Sequence, residues 1–131
     1  MNIMIDKKEM NSIFIPGNVP SSKNGKQWTG KILINSKATR AYIKNSTEFY
    51  MKHRVDFHQM LKGKEKPYKL SLELIRGTKH QFDYITPTQT VHDVMVKFNW
   101  LKDDNCEEII PIFEEYKYDK EKPGVIIKIL S

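Results

Sequence analysis

Residues 86–104 read TPTQTVHDVMVKFNWLKDD, and this stretch decides the class of fold. Thr86-Pro87 has the form of an N-cap followed by proline at the first helical position, where a missing N–H costs nothing. Behind it Val91, Val94, Met95 and Phe98 recur at helical spacing and form one apolar stripe, on a helix expected to end near Asn99. Trp100 then reads as a packing anchor that fixes the acidic pair Asp103-Asp104 directly after it.

On either side of this helix the pattern changes period. Upstream, Leu70, Leu72 and Leu74 alternate with Ser71, Glu73 and Ile75, the signature of a strand with one well-buried face. Gly77-Thr78 ends it, and a short polar stretch leads to Phe82-Asp83-Tyr84. Downstream, residues 109–113 read as a strand in which Pro111 argues for an edge or a bulge. Gly124 and the apolar run 125–130 read as a closing strand.

Toward the N-terminus, Ile13-Phe14-Ile15 is a short strand ended by the turn signal Pro16-Gly17. Residues 20–35 are polar and glycine-bearing, too irregular for a helix and long for an idle loop, and long loops on small domains are often functional. Ser36 is the expected N-cap of a helix running to about Lys62, with Tyr42, Phe49, Phe57 and Met60 on its apolar side, Ser46 and His53 filling the same stripe, and Gly63 as the stop. Strand, long helix, strand, shorter helix, strand, strand predicts an α+β fold with a mixed sheet, and 131 residues suit one domain spanning 1–131.

Charge is divided unevenly. Residues 1–66 hold thirteen Lys and Arg against five Asp and Glu, whereas residues 67–131 hold nine against eleven, within an overall formal charge of +6. A basic half attracts polyanions, nucleic acid above all, and an acidic half is where a cation belongs. No apolar run is long enough to cross a bilayer, which predicts no membrane partner. The opening residues lack a secretory pattern, and the lone Cys106 permits neither an internal disulfide nor a thiolate zinc cage. Both point to a reducing, cytoplasmic setting.

The residues able to carry chemistry are carboxylates. Asp83 ends a strand-like segment, Asp93 lies inside the helix, and Asp103-Asp104 follow it. A helix folding back along the strand brings Asp103 or Asp104 toward Asp83, and an oxygen-rich site suits Mg²⁺, which takes one or two carboxylates together with water and phosphate oxygens. On spacing alone, solvated loop and helix-end positions are the better reading of these aspartates. Asp93 and Lys97 stand one helical turn apart, the spacing of a surface ion pair. His53, His58, His80 and His92 lack zinc-ligand spacing and read as partly exposed, ordinary histidines; His80 and His92 flank the acidic region. Trp28, in the lysine-rich loop, suits either base stacking or core packing.

Two stretches together resemble the RusA family of phage and bacterial Holliday junction resolvases. Pro20-Ser21-Ser22-Lys23-Asn24 followed by Ser36-Lys37-Ala38-Thr39-Arg40-Ala41-Tyr42 is similar to the family's Pro-Ser-Asn loop, basic residues and Ser-capped helix. Phe82-Asp83, Asp93 and Trp100-Leu101-Lys102-Asp103-Asp104 are similar to its acidic segment, helix with an internal Asp, and Trp-x-Asp-Asp turn, and residues 123–129 resemble its final strand.

The resemblance implies a homodimer that binds a four-way DNA junction and nicks two strands with Mg²⁺, or Mn²⁺ in its place. It implies Asp83, Asp104 and Asp103 as metal ligands, Lys97 as a substitute for the family's helix lysine, and Lys23, Asn24, Lys26, Lys31, Lys37 and Arg40 on DNA. Gln81 stands where the family has its first aspartate, Tyr84 where it has asparagine, and the helix lysine falls on Gln89 or a neighbour. These departures leave two other expectations open: a branched-DNA-binding protein that no longer cuts, and a basic protein-interaction module.

Overall fold

The computed structural model describes residues 11–21, 26–28 and 33–130. Its spine is β4 (Tyr68–Arg76), the strand whose alternating leucines were legible in the sequence. It pairs antiparallel with β7 (Gly124–Leu130), which pairs antiparallel with β1 (Ser12–Pro16). On its other side β4 pairs parallel with β5 (Ile109–Phe113) and, further along, with the two-residue β6 (Lys117–Tyr118). The order β1-β7-β4-β5 is a mixed sheet, and with three helices among the described residues the fold is α+β. Pro111 lies in β5 at the end of this order, where a strand can lack one ladder donor.

Burial along β4 extends beyond its leucines. Leu70, Leu72 and Leu74 are buried as predicted, but Ser71 and Arg76 are buried as well. Ser71 Oγ donates to Glu114 Oε2 at 3.0 Å, and the Arg76 guanidinium donates to the Val19 carbonyl and to Ser21 Oγ, so neither polar group is left without a partner. Gly124 is required by close approach: a Cβ there would meet the Ile15 carbonyl oxygen and the Phe14 ring at van der Waals overlap.

The stretch 20–35, expected to be an irregular loop, contains a small antiparallel hairpin, β2 (Lys26–Trp28) with β3 (Leu33–Asn35). The single long helix expected over 36–62 is two helices, α1 (Lys37–Lys52) and α2 (Arg54–Met60). Ser36 caps α1 as predicted, its Oγ accepting from the Thr39 amide. The break falls at His53, whose ring Nδ1 lies 3.0 Å from Asp56 Oδ2. Tyr50, absent from the predicted stripe, is fully buried. Its hydroxyl meets that of Tyr42 at 2.9 Å, and burial pushes the Tyr42 phenol up to about 12.

The helix read from residues 86–104 is α3 (Ile85–Lys97), and Val91, Val94 and Met95 are buried in the core as its periodicity required. Among the described residues no helix is long and apolar enough to cross a membrane.

Candidate functional site

Both ends of α3 are built to place carboxylates, by different means. At its C-terminal end Asn99 takes a left-handed conformation, with φ of 64°. The Trp100 amide donates back to the Met95 carbonyl at 2.8 Å, and the Asn99 amide to Val96 at 3.1 Å. This is a Schellman closure, with asparagine at the position that most often holds glycine. Trp100 then enters the core: its indole Nε1 donates to the Tyr50 carbonyl at 2.8 Å, and its ring stacks on Phe57 at 4.9 Å. The His58 ring Nε2 meets the Asn99 and Trp100 carbonyls from outside, and Leu101 is buried next in line. The expected role of Trp100 as the anchor of the acidic turn is therefore what the structure shows.

At its N-terminal end the helix begins one residue before the expected cap. Thr86 is not the N-cap. Tyr84 holds that position without a side-chain bond of its own, and the Asp83 carboxylate just before it supplies the capping contact, Oδ1 accepting from the Thr86 amide at 3.1 Å and from Thr86 Oγ1 at 3.0 Å. An Asp side chain satisfies an amide that the first turn leaves without a partner, and its charge suits the positive end of the helix. Pro87 falls inside that first turn and is buried, which costs no internal hydrogen bond.

Between these ends two acidic residues from separate segments meet. Gln89 Nε2 donates to Asp93 Oδ1 at 2.7 Å and to Asp104 Oδ2 at 3.0 Å. Two carboxylates fifteen or fewer residues from that amide, one on the helix and one beyond the anchored turn, are thus held within two hydrogen-bond lengths of each other. Thr86, Gln89 and Asp93 recur at the spacing of one helical face, so the Asp83 cap stands on the same side, about one turn further toward the N-terminus. Asp103 is committed locally: Oδ1 accepts from the Asp104 amide at 2.7 Å and Oδ2 from Asn105 Nδ2 at 3.1 Å.

Lys97 does not pair with Asp93, contrary to the expected ion pair. Its ammonium stands over the Phe98 ring at 5.9 Å and lines a shallow depression with Met51, Arg54 and Asn99. The expected set Asp83, Asp103 and Asp104 is not gathered as one cage: among the described residues no three His, Cys, Asp or Glu side chains converge in a way that could hold a metal ion. What converges is the pair Asp93 and Asp104.

His92, expected to be partly exposed, is buried, and its Nε2 has no hydrogen-bond partner. Burial holds the imidazole below its ordinary value, while Asp104 and Asp93 pull it back more weakly. A buried ring nitrogen without a partner beside two carboxylates is costly unless water or another group completes it. The Thr88 hydroxyl, one turn earlier on the helix, is orphaned in the same way.

Of the residues expected on DNA, Lys23, Asn24 and Lys31 lie outside the described residues, and Lys26 is described by its backbone in β2 alone. Lys37 and Arg40 are exposed in the first turns of α1, a helix with no acidic residue there. Lys37, at the first helical position, opposes the positive end of the macrodipole. Two signals were missed in the sequence: Gln89, a neutral side chain at the bridging position, and Arg76, which ties Val19 and Ser21 to the end of β4. The chain matches none of the protein-family models and none of the curated proteins with which it was compared.

Proposed function

We propose that this protein is a divalent-metal-dependent, structure-selective endodeoxyribonuclease of the RusA kind, acting as a homodimer on four-way DNA junctions. The observation that carries the reading is the meeting of Asp93 and Asp104 on the Gln89 amide, at the end of an anchored turn. Two carboxylates joined by a neutral amide carry charge that no cationic side chain among the described residues pairs with, and Mg²⁺ asks no more of a protein than one or two carboxylates. Asp104 and Asp93 would hold the ion.

Bound there, Mg²⁺ or Mn²⁺ supplies Lewis-acid polarisation of a phosphodiester and a hydroxide near neutral pH. The chain's own residues do the rest. Trp100 fixes the turn that carries Asp104, Gln89 orients both carboxylates, and Lys37 and Arg40 with the lysines of residues 20–35 draw in phosphates without reading sequence. A twofold dimer would offer two equivalent sites for paired cuts, and junction shape would supply selectivity.

The test is nicking of a four-way junction by the full chain with Mg²⁺ or Mn²⁺, beside Asp104→Asn. The expected result is cutting by the wild type, none by the variant, and junction binding by both. Mn²⁺ should also raise the melting temperature of the wild type and not that of Asp104→Asn, because an ion that binds only the folded state stabilises it by mass action. Unimpaired cutting by Asp104→Asn would refute the assigned site. A second reading, branched-DNA binding without cleavage, draws on Gln81 and on the lack of a third converging ligand among the described residues. Junction binding with no nicking under either ion would favour it.

A further inference from the structure

Beyond the acidic pair, the surface before α3 carries a feature that metal chemistry does not use. Lys79, His80, Gln81, Phe82, Tyr84 and Tyr116 line an open cavity of about 300 Å³. Its walls are three aromatic rings, two basic side chains and an amide, with no carboxylate among them. Phe82 meets Tyr116 edge-on at 5.0 Å and Tyr84 at 5.3 Å. The Tyr84 hydroxyl accepts from the Tyr116 amide at 3.1 Å, which fixes the segment between β5 and β6 against the approach to α3. Aromatic exposure concentrates here: Phe113, Tyr116 and Tyr118 are 51%, 38% and 43% exposed within six residues of chain, and Lys79 Nζ stands over the Tyr118 ring at 4.9 Å.

We propose that this cavity is a subsite for one unstacked nucleobase of a DNA strand. Of the three cavity rings, Phe82 and Tyr84 lean on the core while Tyr116 is left exposed at the rim, with Lys79 and His80 beside it. An aromatic face offers stacking to any base, the Gln81 amide offers both a donor and an acceptor to a base edge, and Lys79 and His80 suit the flanking phosphates. The position is apt as well. Asp83 lies between Phe82 and Tyr84 in the chain, and Arg76 places its guanidinium 4.7 Å from the Phe82 ring centre while holding Val19 and Ser21 at the root of the lysine-rich segment. A base drawn out at a branch point would be held beside the backbone presented to the carboxylates. The inference rests on the nucleic-acid part of the function proposed above and not on cleavage.

The experiment is a binding cycle with the full chain. A short labelled single-stranded oligonucleotide and the same strand with abasic sugars are titrated against wild type, Tyr116→Ala and Tyr116→Phe, with folding of each checked by circular dichroism. Tyr116→Ala should weaken binding of the base-bearing strand about tenfold. Tyr116→Phe should bind like wild type, and the abasic strand should not distinguish the three proteins. A second variant, Lys79→Gln, should lower the salt slope by about 0.7, one phosphate contact on a single strand. Equal binding of both strands by folded Tyr116→Ala and wild type, an equal loss on both strands, or tighter binding of a free nucleoside monophosphate than of the strand would each overturn the subsite. Junction nicking by the same proteins separates the two readings: base-dependent coupling at Tyr116 without nicking sustains the subsite and removes the nuclease, and nicking without coupling does the reverse.

Discussion

The two ends of α3 make an instructive pair. Its C-terminal end is fixed from within, by Trp100 between Tyr50 and Phe57 and by a backbone closure at Asn99, so that Asp104 is delivered by buried structure. Its N-terminal end is fixed at the surface, where Asp83 is spent on capping and the neighbouring rings of Phe82 and Tyr84 lean on a loop. One carboxylate is carried to a site by the core, and the other is itself part of what holds the helix. Identical side chains thus have different first duties, set by what surrounds the turn.

The largest expected effect on stability comes from attacking the buried end. Trp100→Ala should cost about 3–5 kcal/mol in denaturant unfolding, the range for removing a large buried aromatic. It should also release Asp104, so that any nicking or ion-dependent stabilisation falls with it. Trp100→Phe, which keeps one aromatic ring in the core but leaves the Tyr50 carbonyl without its indole donor, should cost less, about 1–3 kcal/mol.

Next in size is a pH effect beneath the same anchor. Tyr42, held up to about 12, keeps its proton in the folded state above the ordinary value of 10.0, and burial pushes Tyr50 up as well. Between these two values the unfolded chain has lost the proton that the folded chain keeps, so stability is fully present below about pH 10 and is lost as pH rises toward 12. Two units correspond to about 3 kcal/mol for Tyr42. Urea melts at intervals above pH 9 check this, and Tyr42→Phe should flatten the fall.

The smallest effect concerns the surface end and sharpens the contrast. Asp83→Ala should cost about 1 kcal/mol through the lost cap, and Asp83→Asn, also a good cap, much less. If Asp83 acts as a cap alone, Asp83→Asn should leave nicking unchanged. A loss of nicking by Asp83→Asn with an unchanged melting temperature would show that the same carboxylate also serves the ion.

Much of this molecule was legible in its amino-acid order because periodicity and punctuation are local properties. The stripe Val91, Val94 and Met95, the alternation at Leu70, Leu72 and Leu74, the Ser36 cap and the edge proline Pro111 all follow from helix and strand geometry acting over a few residues. So does the anchoring role of Trp100, since a large aromatic behind an amphipathic helix has few places to go but the core. The break at His53, the hairpin within residues 20–35, and the complete burial of Tyr50 and His92 were not legible in this way. The burial of Tyr50 and His92 depends on covering elements that spacing along the chain does not name.

The site divides along the same line. Sequence supplied the acidic residues, the basic half and the turn that carries Asp104. Only the tertiary structure paired Asp104 with Asp93 across Gln89, assigned Asp83 to the helix cap, turned Lys97 toward Phe98, and set aromatic rings beside Lys79 and His80. The physical reason is range: propensity and period are fixed by neighbours in the chain, whereas a shared amide or a cavity wall exists only once packing has chosen which distant segments meet.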